Sequence, residues 1–448
     1  MEAGSRIAEQ EISWRQWYPP IAAFQVVYLF AYIDRQVLSL LVGPIKASIG
    51  LSDVQIGLLQ GFAFTAVYSL SSIFIAPIVD KGNRVRLVGL CMIVWCTMTV
   101  LSGFAQSFTT LLFARMGLAI AEAIIPVAVL SLICDIAPVR VIPRAAALFL
   151  MAAFVGSGLA LLLGGPLLGT LAHDSGERAL FGLRLEPWRW VFILVGAPGL
   201  LIGLAVMARI REPVRKRISS VGADESGSAL AFFRQHWRYL LTLATFIAMN
   251  NTMSLTIYAW VPTLFFRVHD IAMPAAAVSV GTIYVVAGIL GCLFGSWVMG
   301  RAPAHRALSN VVGWMLIACG IQWLPLILMP LVPSASAALA LLALGFVCQG
   351  IILSSALTPL QLFTPSSVRG RITATCTVYS SLLSGLGPLA VGVMTDRLFA
   401  APERISHAMA LTFLAAGTAA FACGLLTLRM SRSISVRAGR LPALVTTS

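Results

Sequence analysis

Between Arg209 and Arg238 the chain reads RIREPVRKRISSVGADESGSALAFFRQHWR, with Arg211, Arg215, Lys216 and Arg217 running into a Gly/Ser-rich piece at 219–228. This polar stretch stands near the middle of a 448-residue sequence that is 59% apolar and only 11% charged, with a mean hydropathy of +0.91. A soluble protein is about 45–50% apolar and about 25% charged, so a large soluble enzyme is excluded, as is a disordered or fibrous chain. The apolar residues recur from Tyr18 to about Leu428 rather than gathering in one anchor. The sequence is that of a polytopic membrane protein, and the stretch at 209–238 divides it.

A helix needs about 20 apolar residues to cross the hydrocarbon. Cutting at charge clusters and Pro/Gly/Ser-rich breaks predicts six spans before the divide, at 18–42, 54–79, 87–106, 108–134, 145–172 and 188–208. Six more follow, at 239–266, 274–299, 307–330, 335–361, 372–395 and 406–428. The expected organisation is an N-terminal segment 1–17, a six-helix bundle 18–208, a linker 209–238, a second six-helix bundle 239–428 and a tail 429–448. The fold class is all-α, with twelve transmembrane helices in two pseudo-symmetric bundles.

The net charge of +14 comes from 31 Lys and Arg against 17 Asp and Glu. On alternating loops, 22 of the basic residues fall on the side of the N-terminus, seven on the opposite side and two inside spans. Lys and Arg stay on the cytoplasmic side, which predicts cytoplasmic termini and linker in an inner membrane. The excess is topological, so no nucleic-acid partner is expected. No cleavable leader is expected either, because Glu2, Arg6, Glu9, Glu11 and Arg15 precede a first span too long for a signal-peptide core. The eight cysteines are scattered without a CxxC pair, and no HExxH occurs. Neither a disulfide framework, a metal nor a cofactor is predicted. With no Walker A or GxSxG motif, the chain is not expected to be an enzyme.

The halves repeat one feature. Gly165-Pro166-Leu167-Leu168-Gly169 in span 5 is followed by Asp174, and Gly387-Pro388-Leu389-Ala390 in span 11 by Asp396, each acid eight residues beyond its proline. Gly-Pro in a membrane helix permits close approach and bending. Paired halves around a central path are transporter architecture.

After span 2 comes Asp80-Lys81-Gly82-Asn83-Arg84-Val85-Arg86, which resembles the loop signature of the major facilitator superfamily. Ala76 and Asn83 stand where that family prefers glycine, and the matching second-half loop Gly300–Arg306 keeps Arg301 and Arg306 without an acid. Within the superfamily the chain is similar to the Spinster group of lysolipid and sphingolipid transporters and their bacterial relatives. That likeness is carried by Asp34-Arg35-Gln36-Val37-Leu38, by Leu51–Leu59, and by Arg115-Met116-Gly117 with Ala121-Glu122-Ala123, Pro126 and Ser131. It covers roughly the first 170 residues; the second half matches at superfamily level.

With Arg189 at the mouth of span 6 counted among the loop residues, only Asp34, Arg35, Arg115 and Glu122 carry charge inside spans, and each costs several kcal/mol unless paired or wetted. Asp34 and Arg115 are expected at similar depth, with Glu122 two turns further along the face of Arg115. The reading makes Asp34 and Glu122 proton sites, Arg115 the head-group contact and the setter of their affinity, and Arg35 a supporting charge about 100° away around span 1. Mutual neutralisation in a buried network is the competing reading. Cavity candidates are Tyr68, Asn250, Asn251, Tyr258, Gln349 and Tyr379, with Phe62, Phe64, Phe154 and Trp260 beside a tail; helix–helix hydrogen bonding is the commoner use of such polar residues.

The family pattern implies a gate in which Asp80 meets the start of span 11, Ser366 to Arg371, with Arg369 or Arg371 strengthening the contact. Lys81, Arg84 and Arg86 are left to pair with Asp135 or face lipid. The Spinster resemblance implies a proton-coupled secondary transporter of an amphiphilic anion, working as a monomer in the bilayer by alternating access. A transporter of a small organic anion or drug is the alternative.

Overall fold

The structure is a computed structural model that describes residues 14–138, 141–173, 178–180, 183–215, 229–299, 307–365 and 367–440. Arg140, Asp174, Lys216, Arg217, the 219–228 piece, the Gly300–Arg306 loop and Ser366 lie outside the described residues. Twelve described helices are long and apolar enough to cross a membrane. Spans 1 to 6 are Trp17–Leu40, Asp53–Lys81, Arg84–Ser102, Phe108–Ile136, Ala145–Ala172 and Pro187–Arg209. Spans 7 to 12 are Ala229–Val268, Met273–Met299, Ala307–Leu328, Ala335–Phe363, Arg369–Leu398 and Pro402–Ile434. In lipid each backbone group must find its partner within the chain, and a helix does that locally.

The ends follow from short polar residues. Ser52 accepts from the Gln55 N–H while Gln55 returns the bond, Ser107 does the same with Thr110, and Asn83 and Ser334 cap spans 3 and 10. Between spans 1 and 2 a short helix, Val42–Ile49, ends at Gly50 with φ +67°, a left-handed turn that glycine adopts without strain. A small antiparallel hairpin, β1 (Arg178–Leu180) and β2 (Leu183–Leu185), joins spans 5 and 6 and is the one departure from an all-helical chain among the described residues.

Four spans are interrupted along their length. Pro126, Pro359 and Pro388 offer no N–H to the carbonyl four residues earlier. The helices stop at the residues so deprived: Glu122, Ser355 and Ser384. Span 2 breaks at Gly61 (φ −111°, ψ −103°) instead. Pro166 and Pro262 lie in helices that continue through them, so the Gly-Pro steps of spans 5 and 11 differ in outcome.

The start of the linker docks rather than floats. The Arg215 guanidinium donates to the carbonyls of Val79, Asp80 and Gly82, at the loop between spans 2 and 3. The end of the linker, from Ala229, is helical and joins span 7 through a bend at His236, where Phe232, His236 and Phe363 pack ring to ring. Those aromatic contacts give helix to residues that charge alone assigned to a linker.

We call the face carrying the 81–86 loop and the linker the basic side, and the other the far side. On the far side, span 2 packs so tightly on span 11 that a Cβ at Gly57 would sit 2.4 Å from the Pro388 carbonyl oxygen, and one at Gly392 2.2 Å from that of Asp53. Span 5 meets span 8 the same way at Gly158 and Gly281. The Trp260 indole donates to the Pro388 carbonyl at 3.0 Å. The far side is therefore closed by backbone against backbone. Gly57→Val should wedge spans 2 and 11 apart, lengthening label distances between their far ends and lowering thermal stability by about 1–3 kcal/mol. Unchanged distances would contradict the contact.

Candidate functional site

Beneath that closure lies a cavity of about 300 Å³. From the first half, Tyr32, Arg35, Gln60, Phe64, Tyr68, Arg115, Phe154 and Ser157 line it; from the second, Asn251, Ser254, Tyr258, Gln349, Ser381 and Ser384. The wall is charged on one side and neutral on the other.

The adjacent residues Asp34 and Arg35 part company, as a 100° step requires. Arg35 faces the cavity and its Nε meets Glu122 Oε2 at 2.5 Å, with the glutamate side chain fully buried. The guanidinium also lies 5.0 Å from the ring centre of Tyr32 and 4.8 Å from those of Phe64 and Tyr68. Three aromatic faces hold the cation that a lone carboxylate pairs. Asp34 turns toward span 3, where its Oδ2 accepts from the Thr99 hydroxyl. Arg115 reaches only the Asp34 main-chain carbonyl, at 3.4 Å, and its ring neighbour is Phe192 at 5.7 Å.

This corrects the pairing expected from spacing. Arg35 and not Arg115 holds Glu122, because the break in span 4 and the rings of spans 1 and 2 aim Arg35 at it. Arg115 is left with Nε and Nη2 buried and unpartnered, as are Asp34 Oδ1 and Glu122 Oε1. Tyr68, Asn251, Tyr258 and Gln349 line the cavity, and so do Phe64 and Phe154; Phe62 and Trp260 do not. Two candidates are corrected outright. Asn250 donates to the Phe246 carbonyl and accepts from Gln322 at 2.7 Å, pinning span 7 to span 9. Tyr379 shares a 2.9 Å hydrogen bond with Thr245 and is absent from the lining.

The Major Facilitator Superfamily model matches residues 26–388. The chain belongs to the major facilitator superfamily. An "MFS-type efflux pump" of Mycolicibacterium smegmatis is 26% identical to it over 395 residues, 86% of each chain. Two crystal structures of a bacterial homologue of the human lysosomal transporter Spinster, inward-facing and either unoccupied or occupied, match with a TM-score of 0.72. They are 26% and 25% identical, and the match covers 95% of this chain and 97% of theirs.

The superfamily's two faces are held differently in this chain. On the basic side Arg84 is buried and bonded to Asp135 at 2.5 Å, Glu212 at 2.7 Å and Ser131 at 2.8 Å. Asp80, Lys81, Arg369 and Arg371 are exposed, and Arg369 Nε turns to the Thr364 carbonyl of its own loop. On the far side Asp53, fully buried, takes Lys46 at 2.5 Å and Arg267 bidentately at 2.8 and 2.9 Å. Beside it Asp396 accepts from the Val54 N–H at 2.7 Å, at the start of span 2. This cross-half ion cluster was missed from sequence. Its signal was an acid and a base seven residues apart at a span mouth, of which only Asp53 falls within the Leu51–Leu59 family match. Nearby, burial alone would push the Glu186 carboxyl up, but hydrogen bonds from Ser48, Trp188 and Arg189 outweigh it and hold it below its usual value.

Removing one partner of a buried pair strands the other charge. Arg35→Ala should therefore cost about 3 kcal/mol of thermal stability at neutral pH, and Arg35→Ala with Glu122→Gln should recover much of it. Equal losses in single and double variants would show the pair to be energetically idle.

Proposed function

We propose that this superfamily transporter is proton-coupled and moves an amphiphilic anion, with its basic side cytoplasmic in an inner membrane. The observation that carries this reading is the Arg35–Glu122 pair at the wall of the central cavity. An incoming anion competes with Glu122 for Arg35. A carboxylate stripped of its cation in a dehydrated site takes up a proton. Substrate charge and proton are then exchanged on one guanidinium, a role the sequence had given to Arg115. Arg115, with two unpartnered donors, completes the head-group contact, and Asp34 is a second proton site behind it. Phe64, Tyr68, Phe154 and Tyr258 flank the tail. The likeness to a Spinster homologue supports the amphiphile.

In this orientation the closed far side makes the conformation inward-facing. Rocking of the bundles 18–208 and 239–428 would break the Asp53 cluster and bring Asp80 to Arg369 and Arg371 as the latch of the opposite state. A second reading, a small organic anion or drug, is favoured by the cavity volume, at the low end of the 300–1,000 Å³ typical of ligand pockets. The efflux-pump relative supports it too.

Transport driven by a pH gradient should be abolished in Glu122→Gln and Asp34→Asn at normal expression, measured in proteoliposomes loaded with lysolipid. Wild-type rates in both would remove the proton assignment. Across a series of tail lengths, affinity should rise by about 0.8 kcal/mol per buried methylene, and a flat series would transfer the case to the small anion.

A further inference from the structure

The neutral wall carries its own unfinished chemistry. The two span 7 threonines that flank this wall satisfy their hydroxyls internally: Thr252 donates to the Ala248 carbonyl and Thr256 to that of Thr252, each at 2.8–2.9 Å. Such back-bonding is the usual resort of a helical hydroxyl. Ser254, between them, does not use it. Its Oγ is buried and without a partner, although the residue is only 7% exposed. In span 10, Gln349 is 4% exposed and its Oε1 is likewise buried and unpartnered. Both residues line the cavity.

Their mutual placement follows from a ring contact. Tyr258 and Phe346 meet edge to face, centroids 5.6 Å apart, and Tyr284 stacks on Phe346 at 4.4 Å. Ser254 is four residues before Tyr258, and Gln349 is three after Phe346. Because spans 7 and 10 run in opposite directions, both residues lie one turn to the basic side of that contact, on the same helix faces. A hydroxyl donor and an amide acceptor thus sit together beneath an aromatic roof. The second-half lining beside them holds no ionised group.

We propose that Ser254 and Gln349 form a hydrogen-bonding subsite for a neutral donor–acceptor group of the substrate, a hydroxyl or amide carried next to its anionic head. The substrate oxygen accepts from the Ser254 hydroxyl, and the substrate O–H or N–H donates a hydrogen bond to Gln349 Oε1. The substrate class narrows accordingly, to hydroxylated or amide-bearing anions. This rests on the anion-transport reading above, but not on the tail. Burying two polar atoms opposite a ligand that cannot pair them is costly, and a site built around such a group discriminates against the analogue lacking it.

The test compares lauroyl glycerol phosphate, which has a free hydroxyl, with its propanediol counterpart, which does not. Binding to the purified full chain is measured for both, with tailless glycerol phosphate and propanediol phosphate as a second pair. The wild type should prefer the hydroxylated member about ten-fold. Ser254→Ala and Gln349→Leu should each bring that ratio toward one, with the folded fraction read independently by thermal unfolding. If only the tailless pair discriminates, the amphiphile reading falls and the subsite stands. No preference in either pair, as when water merely fills the space, overturns the subsite. So does a preference that survives both substitutions.

Discussion

A carboxylate buried as completely as Glu122 needs a cation, and in this chain the cation is Arg35. Much of the first half is arranged to allow that pair. An isolated ion at this depth would cost several kcal/mol. The break after Glu122, forced by Pro126, lets span 4 present the side chain inward. The rings of Tyr32, Phe64 and Tyr68 replace the water that Arg35 gives up. A pair of apolar residues would hold spans 1 and 4 together as well or better. The pair is better suited to being exchanged than to holding helices together.

The same logic recurs at the two mouths of the path. The far side is closed by glycine-mediated backbone contact and by Asp53 shared between Lys46 and Arg267. Ion pairs near a water-filled mouth can be traded for hydration at small net cost, whereas a wholly apolar seal would have to expose greasy surface on opening. On the basic side the buried Arg84, tied to Asp135 and Glu212, fastens spans 3 and 4 to the linker within one half. Beside it the side chains of Asp80 and Lys81 stay exposed, while Arg215 of the linker holds the carbonyls of that loop.

Sequence made the spans legible because hydrocarbon thickness is a hard constraint and charge is rare enough to mark every loop. The four intramembrane charges were equally plain. Their pairing was not, because helical spacing fixes which face a residue occupies but not which neighbouring helix lies opposite. Arg35 looked secondary only because Asp34 was taken to face inward. Asn250 and Tyr379 illustrate the same gap: polar residues in spans that serve Gln322 and Thr245 rather than the cavity. Asp53 was hidden for another reason, since Arg267 stands 214 residues away and only the closed fold brings them together.

The central claim is that an anion and a proton compete through one guanidinium. It is tested most directly by calorimetry of a long-chain alkyl sulfonate, whose head group does not titrate near neutral pH, in buffers of different ionisation enthalpy. The account predicts uptake of about one proton per anion bound by the wild type, and none by Glu122→Gln. Binding without proton uptake, or with the same uptake in Glu122→Gln, would contradict it.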